Sequence, residues 1–183
     1  MLIFSAEIPD IKILQAQKHE DARGFFSETF NEKCFRGMGI ALRFVQDNQS
    51  LSTEKGTIRG LHFQSPPFAQ AKLVRVLRGR IWDVVVDLRK SSPTFGKWLG
   101  VEIAAESLTQ IFVPIGFAHG FCTLEDNCEV LYKVSHFYSK EHEVGICWDD
   151  PSLSIPWPLE GSSPIVSTKD EALGRFEDLK SPF

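Results

Sequence analysis

Cysteine is sparse in this chain of 183 residues, and its four copies form no C-x-x-C pair. Cys34, Cys122, Cys128 and Cys147 stand far apart, which argues against a disulfide-stapled scaffold and the common zinc and redox motifs. All four are expected as free thiols. No apolar run is long enough to span a bilayer. The apolar start, residues 1–6, has no basic stretch before it and no small-residue cleavage pattern after it, unlike a signal peptide. A cytoplasmic location and no membrane partner are therefore expected. Positive charge is not in excess: 20 Lys and Arg against 24 Asp and Glu leave a net charge of -4, which speaks against general nucleic-acid binding. Internal repeats, linkers and low-complexity tracts are lacking, and helical periodicity is scarce. Tyrosine is almost missing, with two copies against fifteen phenylalanines.

At 43% hydrophobic and 24% charged residues, the chain can fill a core without staples or metal. Its length suits one domain over residues 1–183. The dominant texture is short β-rich runs closed by Gly, Pro, Asn or Asp. Residues 71–77 and 81–88 flank Gly79-Arg80 and predict a hairpin with a tight turn. Further strands are expected near 11–15, 24–30, 44–50, 99–103, 110–113, 120–124 and 129–138. So many strands suit a β-sandwich or closed antiparallel barrel of the jelly-roll kind, which leaves few exposed edges. Two helices are predicted, at 31–36, ended by Gly37 and Gly39, and at 169–179, where Leu173, Phe176 and Leu179 recur every third residue. Charge is uneven along the chain. Six basic residues between 72 and 90 could collect a small anion, although a solvated strand face explains such a run more simply.

Strand parity points to a site. In Arg59-Gly60-Leu61-His62-Phe63-Gln64, alternation puts His62 and Gln64 on one face and Leu61 and Phe63 on the other. A lone histidine there is more often a core residue bonded to a carbonyl. Lys72 shares a parity with Val74 and Val76, so its ammonium either points inward with them or snorkels out at a strand end. Tyr132 and Tyr138 are an even number of residues apart and would share a face if no bulge intervenes. Scarce tyrosine hints that each hydroxyl is used, although packing with a wet tip is the commoner reason for a single Tyr. Asp170 follows Ser167-Thr168-Lys169 in a capping-box-like pattern. That is reason enough for its presence, yet it could equally hold a histidine ring nitrogen. Residues 114–121, PIGFAHGF, have the P-x-G-x-x-H form of the second cupin motif and deliver His119. Where the first cupin motif would hold an H-x-H pair, the chain reads His62-Phe63-Gln64. A three-histidine metal site cannot be assembled from these motifs, and neither metal nor cofactor is expected.

The chain resembles the dTDP-4-dehydrorhamnose 3,5-epimerase family from about Asp21 to Asp170. The marks are Asp21-x-Arg23-Gly24-x-Phe26-x-Glu28-x-Phe30, Gln46-Asp47-Asn48-x-Ser50, the 59–64 segment, Lys72-Leu73-Val74, residues 83–89 (DVVVDLR), Ser92-Pro93-Thr94-Phe95 and residues 116–121. The resemblance implies a homodimeric cupin jelly roll acting on a dTDP-4-keto-6-deoxy sugar. It implies His62 as the base, assisted by Asp170, Tyr132 as the proton donor, and Lys72 on the enolate oxygen. Arg59 and His119 would lie against the sugar diphosphate. Arg23, Glu28, Gln46, Asn48, Glu143 and Lys169 match nucleotide-binding positions, and Tyr138 one that stacks on thymine, with part of that site coming from the partner chain.

These residue types suit the reaction. A C–H beside a ketone becomes acidic enough for imidazole only if a positioned cation holds the enolate, an effect worth about 3 kcal/mol. An imidazole with the ordinary pKa of about 6.5 is mostly unprotonated at neutral pH. A phenol near 10 keeps its proton until carbanion character develops. Three other readings remain open at this point. They are an epimerase acting at C3 or C5 alone, a metal-dependent cupin oxygenase, and a non-catalytic sugar-nucleotide binding module.

Overall fold

A computed structural model of the chain describes residues 1–183, apart from the side chain of Ser5. Its strands are β1 (Leu2–Ser5), β2 (Lys12–Gln15), β3 (His19–Asp21), β4 (Gly24–Phe26), β5 (Gln46–Ser52), β6 (Ile58–Gln64), β7 (Lys72–Arg78), β8 (Arg80–Asp87), β9 (Trp98–Ala104), β10 (Thr109–Val113), β11 (Phe117–Thr123), β12 (Cys128–Val134) and β13 (Glu143–Gly145). The helices are α1 (Glu32–Gly37), capped by the Asn31 side chain, and α2 (Thr168–Glu171). Strands β1-β2-β10-β7-β12-β5 form one sheet and β13-β6-β11-β8-β9 a second, while β3 and β4 pair only with each other. Two antiparallel sheets face to face make the expected cupin-type jelly roll.

Alternation along the strands sorts side chains into three apolar layers. Val74, Val76, Ile81, Val85, Phe117, Phe121 and Val130 fill the space between the sheets. Leu61, Phe63, Val84, Val86 and Ala118 point the other way and are covered by C-terminal residues such as Ile146, Leu153 and Phe176. On the outer face of the first sheet, Leu14, Leu73 and Phe112 lie under Phe35 of α1 and Ile40. The inner layer is where polar residues of the same parity become notable.

Four local expectations are corrected. Residues 71–88 are not a hairpin: β7 pairs with β10 and β12, β8 with β11 and β9. The single residue Gly79, at φ +76°, carries the chain from one sheet to the other, and a Cβ there would stand 2.7 Å from Cys128 Sγ. One residue turns a corner; a two-residue loop would have been needed to fold back. The strand expected through 138 stops at Val134, because the carbonyls of His136 and Phe137 accept side-chain bonds from Gln70 and Gln64 instead of a ladder. Tyr132 and Tyr138 are therefore not on one strand. The strand at 24–30 reaches only Phe26. The helix at 169–179 ends at Glu171, since Phe176 N–H donates to Asp150 and the Gly174 carbonyl accepts from Cys147 N–H. The three-residue spacing there marks packing of an irregular segment.

The basic run also disperses. Arg80 pairs with Glu102, Glu106 and Glu125, Arg89 with Asp87 and Asp10, and only Lys72 turns inward. All four cysteines are free. Among the described residues, no helix is long and apolar enough to cross a membrane.

Candidate active site

A cavity of about 480 Å³ opens between the sheets, walled by His62, Lys72, His119, Tyr132, Arg59 and Asp170 among others. Its geometry starts at Gly60. With φ +125°, and with the site of a Cβ only 2.6 Å from Gly120 Cα and 2.8 Å from the His119 carbonyl, this position admits only glycine. The close approach brings β6 against β11, so that His62 and His119 are register partners.

His62 Nε2 lies 2.7 Å from Asp170 Oδ1, and Asp170 Oδ2 accepts the Gly60 N–H at 3.1 Å. Asp170 reaches this place because Ile165 is bonded to the backbone of Gly56 and Ile58, which lays the following residues over the cavity. The Ser167 side chain then caps α2 by accepting the Asp170 N–H. The capping-box reading is only half met: the Asp170 N–H serves the cap, while its carboxylate, which a capping box would turn back to the Ser167 N–H, serves the histidine instead. Burial pushes the Asp170 carboxyl up, but the His62 hydrogen bond and charge, the Gly60 N–H and Lys169 outweigh it and hold the group below its ordinary range. An ionised Asp170 on Nε2 places the ring proton there and leaves the Nδ1 lone pair for the cavity.

Lys72 is 8% exposed and donates to the His62 carbonyl at 3.2 Å. Burial lowers its pKa from 10.5 to about 8, while Asp83 and Glu143 oppose the fall, so it is still mostly an ammonium at neutral pH. Tyr132 stands opposite Val74 on one side and Asn48 on the other. Burial raises its phenol above the ordinary value, with Arg59 pulling it back and Glu143 adding to the rise. Arg59 donates to Ser52 Oγ and the Leu51 carbonyl, and has no carboxylate partner among the described residues. His119 Nε2 lies 2.8 Å from Asp83 Oδ2 in the interior.

A smaller cleft of about 110 Å³ adjoins this cavity and shares His62, Lys72, Tyr132 and Glu143 with it, adding Gln46, Asn48 and Tyr138. Tyr138 N–H donates to Gln46 Oε1, and Tyr138 hydroxyl to Glu143 Oε2 at 2.7 Å. Lys169 Nζ is 2.6 Å from Glu143 Oε1. Burial raises the Glu143 carboxyl, yet Lys169, Tyr138 and His62 together leave it below its ordinary value. Gln64, in place of a second motif histidine, donates to the carbonyls of Phe68 and Phe137 and accepts the Ser139 N–H. Its amide is spent on the loop that carries Tyr138. Among the described residues, no group of three or more His, Cys, Asp or Glu side chains is placed to hold a metal ion.

The model of the dTDP-4-dehydrorhamnose 3,5-epimerase family matches residues 5–178. The chain belongs to that family. A dTDP-4-dehydrorhamnose 3,5-epimerase of Shigella flexneri is 51% identical over 179 residues, 97% of each chain. The crystal structure of a dTDP-4-dehydrorhamnose 3,5-epimerase from Bacillus anthracis str. Ames, with TDP and PPi bound, superposes with a TM-score of 0.92 at 49% identity, covering 95% of this chain and 98% of that one. A dTDP-6-deoxy-D-glucose-3,5-epimerase from Legionella pneumophila Philadelphia 1, in complex with dTDP-4-keto-L-rhamnose, gives 0.93 at 44% identity, covering 97% and 94%. As a member of this family the chain is an enzyme, an epimerase of nucleotide-linked sugars.

Within this epimerase fold, eleven of the thirteen residues singled out from the sequence line the cavity or the adjoining cleft. Arg23 and Glu28 do not. Arg23 has a side chain 90% exposed and paired only with Asp21, on the β3–β4 hairpin. Glu28 accepts from Asn31. Sequence reasoning gave no role to Asp83. The signal was available, since Asp83 shares a parity with Ile81 and Val85 in the inner layer.

Proposed function

We propose that the chain epimerises both C3 and C5 of dTDP-4-dehydro-6-deoxy-D-glucose, giving dTDP-4-dehydro-L-rhamnose. The observation that carries this reading is the convergence of the His62–Asp170 pair, Lys72 and Tyr132 on one cavity. In it, His62 Nδ1 removes the proton beside the ketone, and Asp170 stabilises the imidazolium that forms. Lys72 offsets the charge that develops on the ketone oxygen. Tyr132, still protonated at neutral pH, returns a proton to the opposite face, which inverts the carbon. Proton loss and gain leave the oxidation state of the sugar unchanged. A ketone at C4 acidifies both neighbours, so one set of groups can serve two centres as the ring reorients.

Arg59 and His119 are assigned to the sugar diphosphate, Gln46, Asn48, Glu143 and Lys169 to the nucleoside, and Tyr138 to stacking on thymine. Arg23 and Glu28 complete the nucleotide site of the other protomer of a homodimer. What supports the sharing is their distance from the cavity of their own chain and the exposed Phe25 and Phe26 beside them, 57% and 70% accessible, a pair of apolar rings suited to a partner surface. Free buried thiols agree with work in the cytoplasm.

The test is proton NMR of the 4-keto sugar nucleotide in deuterated water with catalytic enzyme. Solvent deuterium is expected at C3 and at C5. Deuterium at one carbon selects a mono-epimerase; none at either overturns the reading.

A further inference from the structure

The inner face of β8 carries two buried aspartates with opposite surroundings. Asp87 is satisfied by Arg89, Ser92 and Thr94, all outside the cavity, and staples the loop that follows its own strand. Asp83, equally inaccessible, makes one hydrogen bond, to His119 Nε2, and its Oδ1 has no partner among the described residues. A buried carboxylate oxygen without a donor is unfavourable, and native interiors hold few of them. A merely structural residue at this position would be better replaced by an apolar one, as Ile81 and Val85 on either side show.

The groups that share its surroundings explain it. Facing Lys72 in the cavity are His62 and Arg59 from β6, His119 from β11, Tyr132 from β12 and Glu143 from β13, with Asp83 behind on β8. Asp170 of α2, also in the cavity wall, is engaged by His62, and the negative charges that act on Lys72 are those of Glu143 and Asp83. Glu143 is already engaged by Lys169 and Tyr138. We infer that Asp83 is a positioning residue that keeps the His119 proton on Nε2, turning Nδ1 to the sugar, and supplies the counter-charge that keeps buried Lys72 an ammonium. The ionised carboxylate acts through two neighbours and touches no reacting atom. Burial alone lowers the Lys72 pKa, and Asp83 is the first of the charges that oppose the fall. The inference rests on the assignment of Lys72 to the enolate oxygen.

The experiment compares kcat and KM against pH for the wild type, Asp83→Asn and Lys72→Met, with circular dichroism and TDP binding as checks on folding. Asp83→Asn is expected to lower kcat more than it changes KM, and to move the alkaline limb of the kcat profile to lower pH by about one pH unit or more. Part of the lost rate should return on acidification to the pH where Lys72 is again charged. An unmoved alkaline limb overturns the inference. Should Lys72→Met keep full activity, the reading of Lys72 itself fails, whatever Asp83→Asn does. If Asp83→Asn does not fold, nitrogen-15 NMR of wild-type histidines decides the tautomer: a resting His119 protonated on Nε2 alone supports the inference, and a proton on Nδ1 overturns it.

Discussion

In the main cavity, His62, Lys72, His119 and Tyr132 come from four strands of both sheets and are buried or half-buried. Among the residues proposed to bind the nucleotide, Tyr138 and Lys169 are exposed, Glu143 sits on an edge strand, and Arg23 and Glu28 belong to a segment away from the cavity. The contrast separates two physical demands. Groups that exchange protons need their charge state set by burial and by fixed neighbours, which only paired strands provide. Groups that bind an already ionised diphosphate or stack on a base need reach more than desolvation, so exposed loops or a second protomer can supply them.

The comparison breaks most directly at His62. His62→Ala should lower epimerisation by about 10²- to 10⁴-fold and abolish solvent exchange at both carbons, with TDP affinity unchanged; exchange that persists in the NMR assay would move the base elsewhere. Tyr132→Phe should cost inversion in the same range while leaving deuterium incorporation with retention measurable, because His62 can still remove and return the proton on its own face. Next in size, Lys72→Met should lower kcat about 10²-fold, an effect of about 3 kcal/mol. For the wild type, the sign follows from the lowered pKa of Lys72. The ammonium is the useful form, so kcat should fall as pH rises through about 8, and a flat profile to pH 10 would count against it.

Arg23→Ala should act on the other side of the divide, raising KM about tenfold with kcat nearly intact, as expected for loss of one charged contact. Mixing it with His62→Ala sharpens the case for sharing. A mixed dimer then has one site with both defects and one with neither, so activity at low substrate should rise above that of either parent. If Arg23 served its own chain, no recovery would occur. The smallest effect belongs to Tyr138→Phe, which removes the hydroxyl bonded to Glu143 but keeps the ring; a change in KM of a few-fold is expected from steady-state kinetics, and a larger one for Tyr138→Ala.

Much of this was legible in the chain itself because strands alternate faces. Parity placed His62 opposite Leu61 and Phe63, and put Lys72 with Val74 and Val76. His62, Leu61 and Phe63 stand as expected, and of the two readings of Lys72 the inward one holds. The same rule puts Asp83 between Ile81 and Val85 in the inner layer. Parity failed where regular pairing stops. Tyr138 lies beyond the end of β12, and its place is set by the Tyr138 and Ser139 N–H groups, which donate to the side chains of Gln46 and Gln64, distant in sequence.

By itself, the sequence determined the strand-rich architecture and which side chains share a face along each strand, because both depend on local periodicity. It determined the family through motifs held in one order. Tertiary structure alone decided that Gly79 joins two sheets rather than closing a hairpin, and that Asp170 reaches His62 across 108 positions of chain. It also decided that the run of basic residues scatters, leaving one buried ammonium in the cavity. Those outcomes depend on which strands pair and on what covers them. Such long-range choices are made by the packing of whole sheets and leave no mark in any one segment.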